Sequence, residues 1–463
     1  MSPLHDFATW EPLLRLLRAD KAEAFATGGQ VAGQISQGAW SVPLKRPVPP
    51  PGQASVIEGK LKAEFDAVQR VRSALVDLGI EGVSFTVRIE QAGRAVLRLL
   101  GPSPAVESSV GSPHPGSLVL VEGALPEPWR RLPDPVPDAV PAPTRDLALL
   151  ERTLRERIPG AVGATEDEIA AAEARLGVAL PDELKVLYRV TRARWQDWAG
   201  DHEAAEREVM AVGCELFALD DLYIADVSSR PSLWRFAAKE AVVTPPDAAV
   251  QGLVGSPGWI AFGDNGGGDR LAVDLTPAPG GHLGQIIILS HEENIGADLV
   301  ADSLTDLVLR GPDEQPRRRR RRGDEEPPAV AWVHHRSLRS IEAAAHPGLE
   351  VLNIGVWDED PFSLAPVIGL PRLRTLSAYP GTLADPLEIA RLSGLEYLEL
   401  PPEDWRVLLD AGAVPRSLLA AGIEVRGDRS PRPTVDLANE ILALWDRPPI
   451  TRTRLEGDLG PAV

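Results

Sequence analysis

Residues 259–274 read WIAFGDNGGGDRLAVD, and how the middle of that stretch turns decides the fold around it. Four residues from Trp259 to Phe262 are apolar, a polar glycine-rich segment follows, and apolar residues resume at Leu271. Two short strands, 259–262 and 271–275, joined by a tight connection satisfy that pattern. Gly263 to Gly268 superficially match a phosphate loop, but the nucleotide fingerprints require a helix immediately afterwards to aim its amino end at phosphate. A strand follows here instead. The glycines then serve positive φ angles, and Asp264 or Asn265 bonds the turn backbone. A third strand is expected at 285–290.

Upstream, Thr165 followed by Glu168 forms the pattern of a capping box opening a helix at 166–176, with Ile169, Ala172 and Leu176 inward and Gly177 as its stop. Pro181 opens a second helix with Asp182 and Glu183 at its positive end, and Leu184, Leu187 and Tyr188 form its buried stripe. Residues 303–310 read as a short closing helix. The ordered elements GATEDEIAAAEARLGVALPDELKVLYRVT, WIAFGDNGGGDRLAVDL and ADSLTDLVLR together resemble the SUKH superfamily, the group named after bacterial immunity proteins and the fungal Smi and Knr cell-wall regulators. The chain departs from that pattern at Thr191-Arg192, where the family commonly has Asn-Gly, and by an insertion from Trp195 to Met210. The resemblance implies an α+β domain that binds other proteins, carries no catalytic residues and, in bacteria, often neutralises a toxin.

The 463 residues suit two to four compact units, and the expected class is a multidomain α+β protein. Residues 1–131 read as a small α+β unit: a helix at 6–26, a helix at 56–78, a hairpin of 83–89 with 94–100, and a further strand at 117–122. Residues 132–144 carry too many prolines for a helix or a central strand and read as a linker. The SUKH-like domain takes 145–311. The run Arg317 to Arg322, flanked by acids, reads as a charged linker over 312–328. Beyond it, Leu349, Leu352 and Ile354, then Leu373, Leu376 and Ala378, then Leu395, Leu398 and Leu400 recur at a period typical of leucine-rich repeats. A leucine-rich-repeat-like module is therefore expected over 329–428, closed by a helix at 435–445 and a frayed tail within 429–463.

No run approaches the roughly 20 apolar residues of a membrane helix, and Asp6 and Glu11 stand where a signal peptide is basic then apolar. A lone Cys214 excludes an intramolecular disulfide and fits a reducing cytoplasm. The net charge of −19 opposes nucleic acid as a whole-surface ligand. Between residues 161 and 310, 25 acids face 11 bases, so the SUKH-like domain is the acidic one. Asp264, Asp269 and Asp274 lack the spacing of a calcium loop, and His291-Glu292-Glu293 and His334-His335 lack zinc spacing. No cofactor or metal is expected. Cys214 has no neighbouring histidine and no GxSxG elbow occurs, which leaves only a triad assembled from distant positions. The leading reading is a non-catalytic immunity protein that sequesters a cationic, nuclease-type toxin through acids near the turn and the insertion, namely Asp264, Asp269, Glu203 and Glu206. The alternative is a regulatory scaffold joining two cellular proteins; an enzyme housed in residues 1–144 is the third.

Overall fold

The computed structural model describes residues 3–45, 54–109, 111–198, 201–310, 328–426 and 430–461. The arginine run and the charged linker expected at 312–328 lie, but for Pro328, outside the described residues. The chain divides into two compact units, one of Met1–Ala124, Leu233–Arg235 and Val330–Val463, the other of Leu125–Ser232 and Phe236–Ala329. Both mix helices with sheet, so the protein is a multidomain α+β chain.

The second unit is built on the sheet that holds the hairpin. Its strands run in the order Asp298–Ala301, Gln285–Leu289, Arg270–Asp274, Trp259–Asp264, Glu215–Leu216, with Tyr223–Ile224 also pairing with the hairpin's first strand. The neighbours are antiparallel throughout. Alternation sends Ile260, Phe262, Leu271, Val273 and Ile286 to one face, where they pack with Leu150, Leu184, Leu187 and Leu304 from the helices. Trp259, Ala261, Ala272, Ile287 and Leu289 fill the other face with Leu253 and Ala225. Burial on both faces explains why these strands are almost continuously apolar.

Around this sheet stand the helices Leu147–Arg157, Glu166–Leu176, Asp182–Val190, His202–Val212 and Leu304–Arg310. Glu166–Leu176 starts with the expected reciprocal capping box and ends at Gly177, whose φ of 71° is the left-handed stop. Pro181 sits at the N-cap of Asp182–Val190, one position earlier than the sequence suggests. Glu183 does more than face a dipole. It is buried, and its Oε1 accepts from the Thr305 backbone N–H at 2.8 Å and from the Thr305 hydroxyl at 2.6 Å, tying this helix to the closing one.

The proline-rich stretch 132–144 is not a free tether. The Asp134 N–H donates to Gln251 Oε1 at 2.8 Å, Val140 O accepts from Leu283 N at 3.0 Å, the Thr144 hydroxyl donates to Asp306 Oδ2 at 2.6 Å, and Ala142 is buried. Proline removes donors from the stretch, yet its carbonyls and the intervening N–H groups still bond to the unit they cross.

In the first unit the helices Phe7–Asp20 and Ala54–Asp77 cover one face of a sheet ordered Arg452–Asp458, Arg94–Leu100, Gly82–Ile89, Val31–Ser36, Trp40–Ser41. Trp10, Leu13, Leu14, Leu17, Val68, Val71 and Leu75 meet Val83, Phe85, Val87, Leu97 and Leu99 in its core. Leu61 and Phe65, which the helical period places inward, are exposed instead. The tail expected to fray is the edge strand Arg452–Asp458, paired antiparallel with Arg94–Leu100 over all seven residues.

A second sheet of this unit holds five parallel strands, Val330–Val333, Val351–Ile354, Thr375–Ala378, Tyr397–Leu400 and Ala420–Ile423, and the short strand Ser117–Val119 closes its far edge antiparallel. Leu352, Leu376 and Leu398 stand in register and are fully buried. The residue before each strand continues the pairing: Glu350 O accepts from Arg374 N at 3.0 Å, Arg374 O from Glu396 N at 2.8 Å, and Glu396 O from Leu419 N at 2.8 Å. The amino- and carboxy-terminal segments, read from sequence as separate units, thus share two sheets. Pairing between residues hundreds of positions apart leaves no local periodicity to read.

Candidate protein-binding surface of the acidic unit

The hairpin turn is assembled by its own acids. Asp264 ends the first strand, and its Oδ1 accepts from Gly266 N at 2.6 Å and Gly268 N at 3.3 Å while its other oxygen pairs with Arg270. Asn265 Oδ1 accepts from Gly267 N at 2.8 Å and Asp269 N at 3.1 Å, and the Asn265 amide donates to Asp269 Oδ2 at 2.9 Å. Gly266 and Gly268 take φ of 79° and 101°, which is the positive region expected of them. A Cβ on Gly268 would also press the His291 ring at 3.3 Å.

Asp269 reaches sideways. Its Oδ1 accepts from the His291 backbone N–H at 2.9 Å and meets His291 Nδ1 at 2.7 Å. Burial alone would push this carboxyl up, but the His291 and Asn265 bonds outweigh it and hold Asp269 below the usual carboxylate range. Asp264 is only 8% exposed. Of the two acids proposed from sequence as partner contacts, Asp264 is therefore buried and Asp269 is half-buried and held by His291 and Asn265, while Asn265, Gly266 and Gly267 are the exposed residues of the turn.

Glu203 and Glu206 lie elsewhere, on the helix His202–Val212 inside the inserted segment, and both are exposed. Asp201 caps this helix through a 3.0 Å bond from Ala204 N, and Gly213, at φ 92°, ends it. The inner face is Ala204, Glu208, Ala211 and Val212. Glu208 is buried; burial pushes its carboxyl up, and a bond from the Thr191 hydroxyl, at the family's departure point, partly offsets this. Beyond Gly213 the chain enters Glu215–Leu216, where Glu215 stands opposite Asp264. Glu203 and Glu206 thus stand on a helix that ends before the strand Glu215–Leu216, whereas Asp264 and Asp269 belong to the hairpin turn, so the four acids are carried by two different elements.

The outer helix face contains a residue the charge count does not reveal. Met210 is 56% exposed and follows Glu203 and Glu206 by seven and four positions, on the same side of the helix. An exposed, flexible thioether beside Glu206 and Arg207, the latter 3.9 Å from Glu203, suits an adaptable protein contact. The spacing alone signals this face, once the insertion is read as a helix.

Cys214 and Tyr188 are committed to packing. Cys214 is buried, and burial pushes its thiol up to about 12. Its Sγ lies so near Gly263 that a Cβ there would come within 2.7 Å. The Tyr188 hydroxyl donates to Phe217 O at 2.7 Å. Among the described residues no group of three or more His, Cys, Asp and Glu side chains is placed to hold a metal ion, and no helix is long and apolar enough to cross a membrane.

Residues 163–310 match the SMI1/KNR4 family (SUKH-1), so the domain resembled in the sequence is present, and all of it but Leu233–Arg235 falls in the second unit. Over 100 residues the chain is 31% identical to a glucan synthesis regulatory protein of Neurospora crassa, covering 21% of this chain and 19% of that one. Over 148 residues it is 26% identical to the cell wall biosynthesis/cell cycle regulator smi1 of Schizosaccharomyces pombe, covering 28% and 27%. The chain thus spans less than a third of the length of either relative, and the similarity is that of one domain.

Proposed function

We propose that this chain is a non-catalytic regulatory scaffold, whose SUKH-1 domain holds a protein partner through the outer face of His202–Val212. The observation that carries the reading is that face: Glu203, Glu206 and Met210 are exposed together on a helix whose opposite side does the packing. The names of the fungal relatives, both regulators, favour regulation over the toxin neutralisation that the acidic charge suggested. A cationic partner surface suits the acids, which would raise its association rate. In the other unit, the parallel strands offset by 24, 22 and 23 residues are read as a short leucine-rich-repeat-like module that engages a second protein. The absence of catalysis is supported by Asp274, Glu183 and Glu208, whose carboxylates serve internal hydrogen bonds, and by a thiol too basic and too buried to attack. A buried thiol with no second cysteine suits the cytoplasm.

The test is cross-linking from position 210 in cells to identify the partner, followed by association kinetics with the purified partner. The paired change Glu203→Lys and Glu206→Lys should slow association roughly tenfold or more at low salt and change dissociation little. Wild-type rates in that variant would sink the proposed face. A toxin domain as the cross-linked partner would replace regulation by the immunity reading.

A further inference from the structure

The amino-terminal sheet of the first unit is covered by helices on one side; its other side collects arginines. Across three adjacent strands Thr86 stands opposite Arg98 and Arg98 opposite Arg454, and in the next row Ser84 stands opposite Leu100 and Leu100 opposite Arg452. Arg88 lies two residues beyond Thr86 on the same face, and Arg432 comes from the first turn of the helix Pro431–Ala443. These five arginines line one cleft of about 490 Å³ whose wall contains no carboxylate. Arg452 is ion-paired with Asp436 and Arg454 with Glu456. For Arg88, Arg98 and Arg432 no ion pair occurs among the described residues.

In a chain of net charge −19, a concave cleft lined by five arginines, two of them with carboxylate partners, is a local reversal of sign that attracts an anion. The planar guanidinium fork matches phosphate oxygens in bidentate fashion, and a cleft lined by one sign of charge raises the local concentration of the opposite ion. Leu100 also lines a second cavity of about 430 Å³ on the same sheet face, with Ser84, Pro102, Val106, Val435 and Ile450. A cationic pocket thus adjoins a mostly apolar one, and together they have the dimensions of a small-molecule site.

We propose that this face binds a small organic phosphate, with its phosphoryl groups held by Arg88, Arg98 and Arg432 and its uncharged body lying over Leu100. The assignment is independent of the acidic helix face. A cleft of this size admits one ligand rather than a nucleic-acid strand, whose further phosphates would meet the acidic remainder of the chain.

The test is titration calorimetry on the full chain, with inorganic triphosphate and ATP as probes. Both should bind more tightly than about 1 mM and weaken as salt rises past about 0.15 M. The pair Arg88→Gln and Arg98→Gln should weaken both roughly tenfold or more while thermal unfolding stays unchanged, because the arginines lie on the outer face. Ser84→Phe, which fills the apolar cavity, should weaken ATP and leave triphosphate alone. Failure of triphosphate to bind, or equal affinity in the arginine pair, overturns the site. Equal loss of both probes in Ser84→Phe removes the organic half of the proposal. Tighter binding of an RNA oligonucleotide through the same arginines would overturn the small-molecule assignment.

Discussion

The indole Nε1–H of Trp259 donates to Asp274 Oδ1 at 3.0 Å, joining the first residue of one hairpin strand to the last residue of the other. The same carboxylate accepts from Thr276 N at 2.7 Å and from Gln285 Nε2 at 2.9 Å, and it is wholly buried. Burial pushes the Asp274 carboxyl up, and these bonds, with one from the Thr276 hydroxyl at 3.2 Å, partly counter it. The outer ends of the sequence motif are therefore one structural joint, with the glycine turn at its inner end. Asp274→Ala leaves buried donors on Trp259 and Gln285 without their acceptor and should cost about 2 to 4 kcal/mol, measured by urea unfolding followed through tryptophan fluorescence. A loss below about 0.5 kcal/mol would show the joint to be dispensable.

Charge reversal should separate the two acid pairs. Asp269→Lys breaks the bonds to His291 and Asn265, so it should lower stability by about 1 to 3 kcal/mol whatever it does to binding. Glu203→Lys, on a side chain 88% exposed, should leave the unfolding midpoint nearly unchanged. Equal destabilisation by the two changes would contradict the bonded role of Asp269 in the turn.

Part of this was open to reading in the sequence. Glycines after two short apolar runs mark a hairpin because positive φ and period-two burial are local requirements, and Leu352, Leu376 and Leu398 mark stacked strands because each must fill the same position of a repeating core. Arg452 and Arg454 could not be placed, since an edge strand of alternating charge looks like a tail until its partner at Arg94–Leu100 is known. Nor could the orientation of Asp264 and Asp269 be read. Whether an acid faces solvent depends on which backbone N–H groups the turn brings to it, and that is settled only when Arg270 and His291 arrive.

Leu376 sits in register between Leu352 and Leu398, in the middle of the parallel sheet, and has no exposed surface. Leu376→Ala should cost about 2 to 5 kcal/mol, because the strands above and below fix its walls and limit collapse of the cavity. Differential unfolding of the full chain should show the loss in the first unit's transition and not in the SUKH-1 domain's. A uniform shift of both transitions would mean that the units do not unfold separately.

Cys214 and Gly263 are pressed together where the strand Glu215–Leu216 meets the hairpin, so the thiol reports whether that junction is closed. With its thiol pushed up to about 12 by burial, the native protein should show no reaction with a thiol-reactive disulfide reagent at pH 8, and one thiol per chain after unfolding. Gly263→Ala should open the junction, because its Cβ would lie 2.7 Å from Cys214 Sγ, and so make the thiol reactive in the native state. Rapid labelling of the wild-type protein would place Cys214 at the surface.

Asp404, in the first turn of the helix Pro402–Asp410, gives the first unit a pH dependence of defined sign. Burial, with the neighbouring Glu403 charge, raises its carboxyl to about 6 from an ordinary value near 3.8. A carboxyl whose folded-state value is raised favours the protonated form of the folded chain. Its contribution is therefore fully present below about 3.8 and is lost as pH rises through about 6. Because the group is only half buried, the loss should be about 1 kcal/mol, well short of what the full shift would give without solvent screening. Asp404→Asn removes the titration, so at pH 7 the variant should be more stable than the wild type by about that amount, and near pH 4 the two should converge. Unfolding midpoints of the first unit measured at both pH values decide the matter: an advantage for the variant that is the same at pH 4 and pH 7 would mean that Asp404 is solvated and ionises normally.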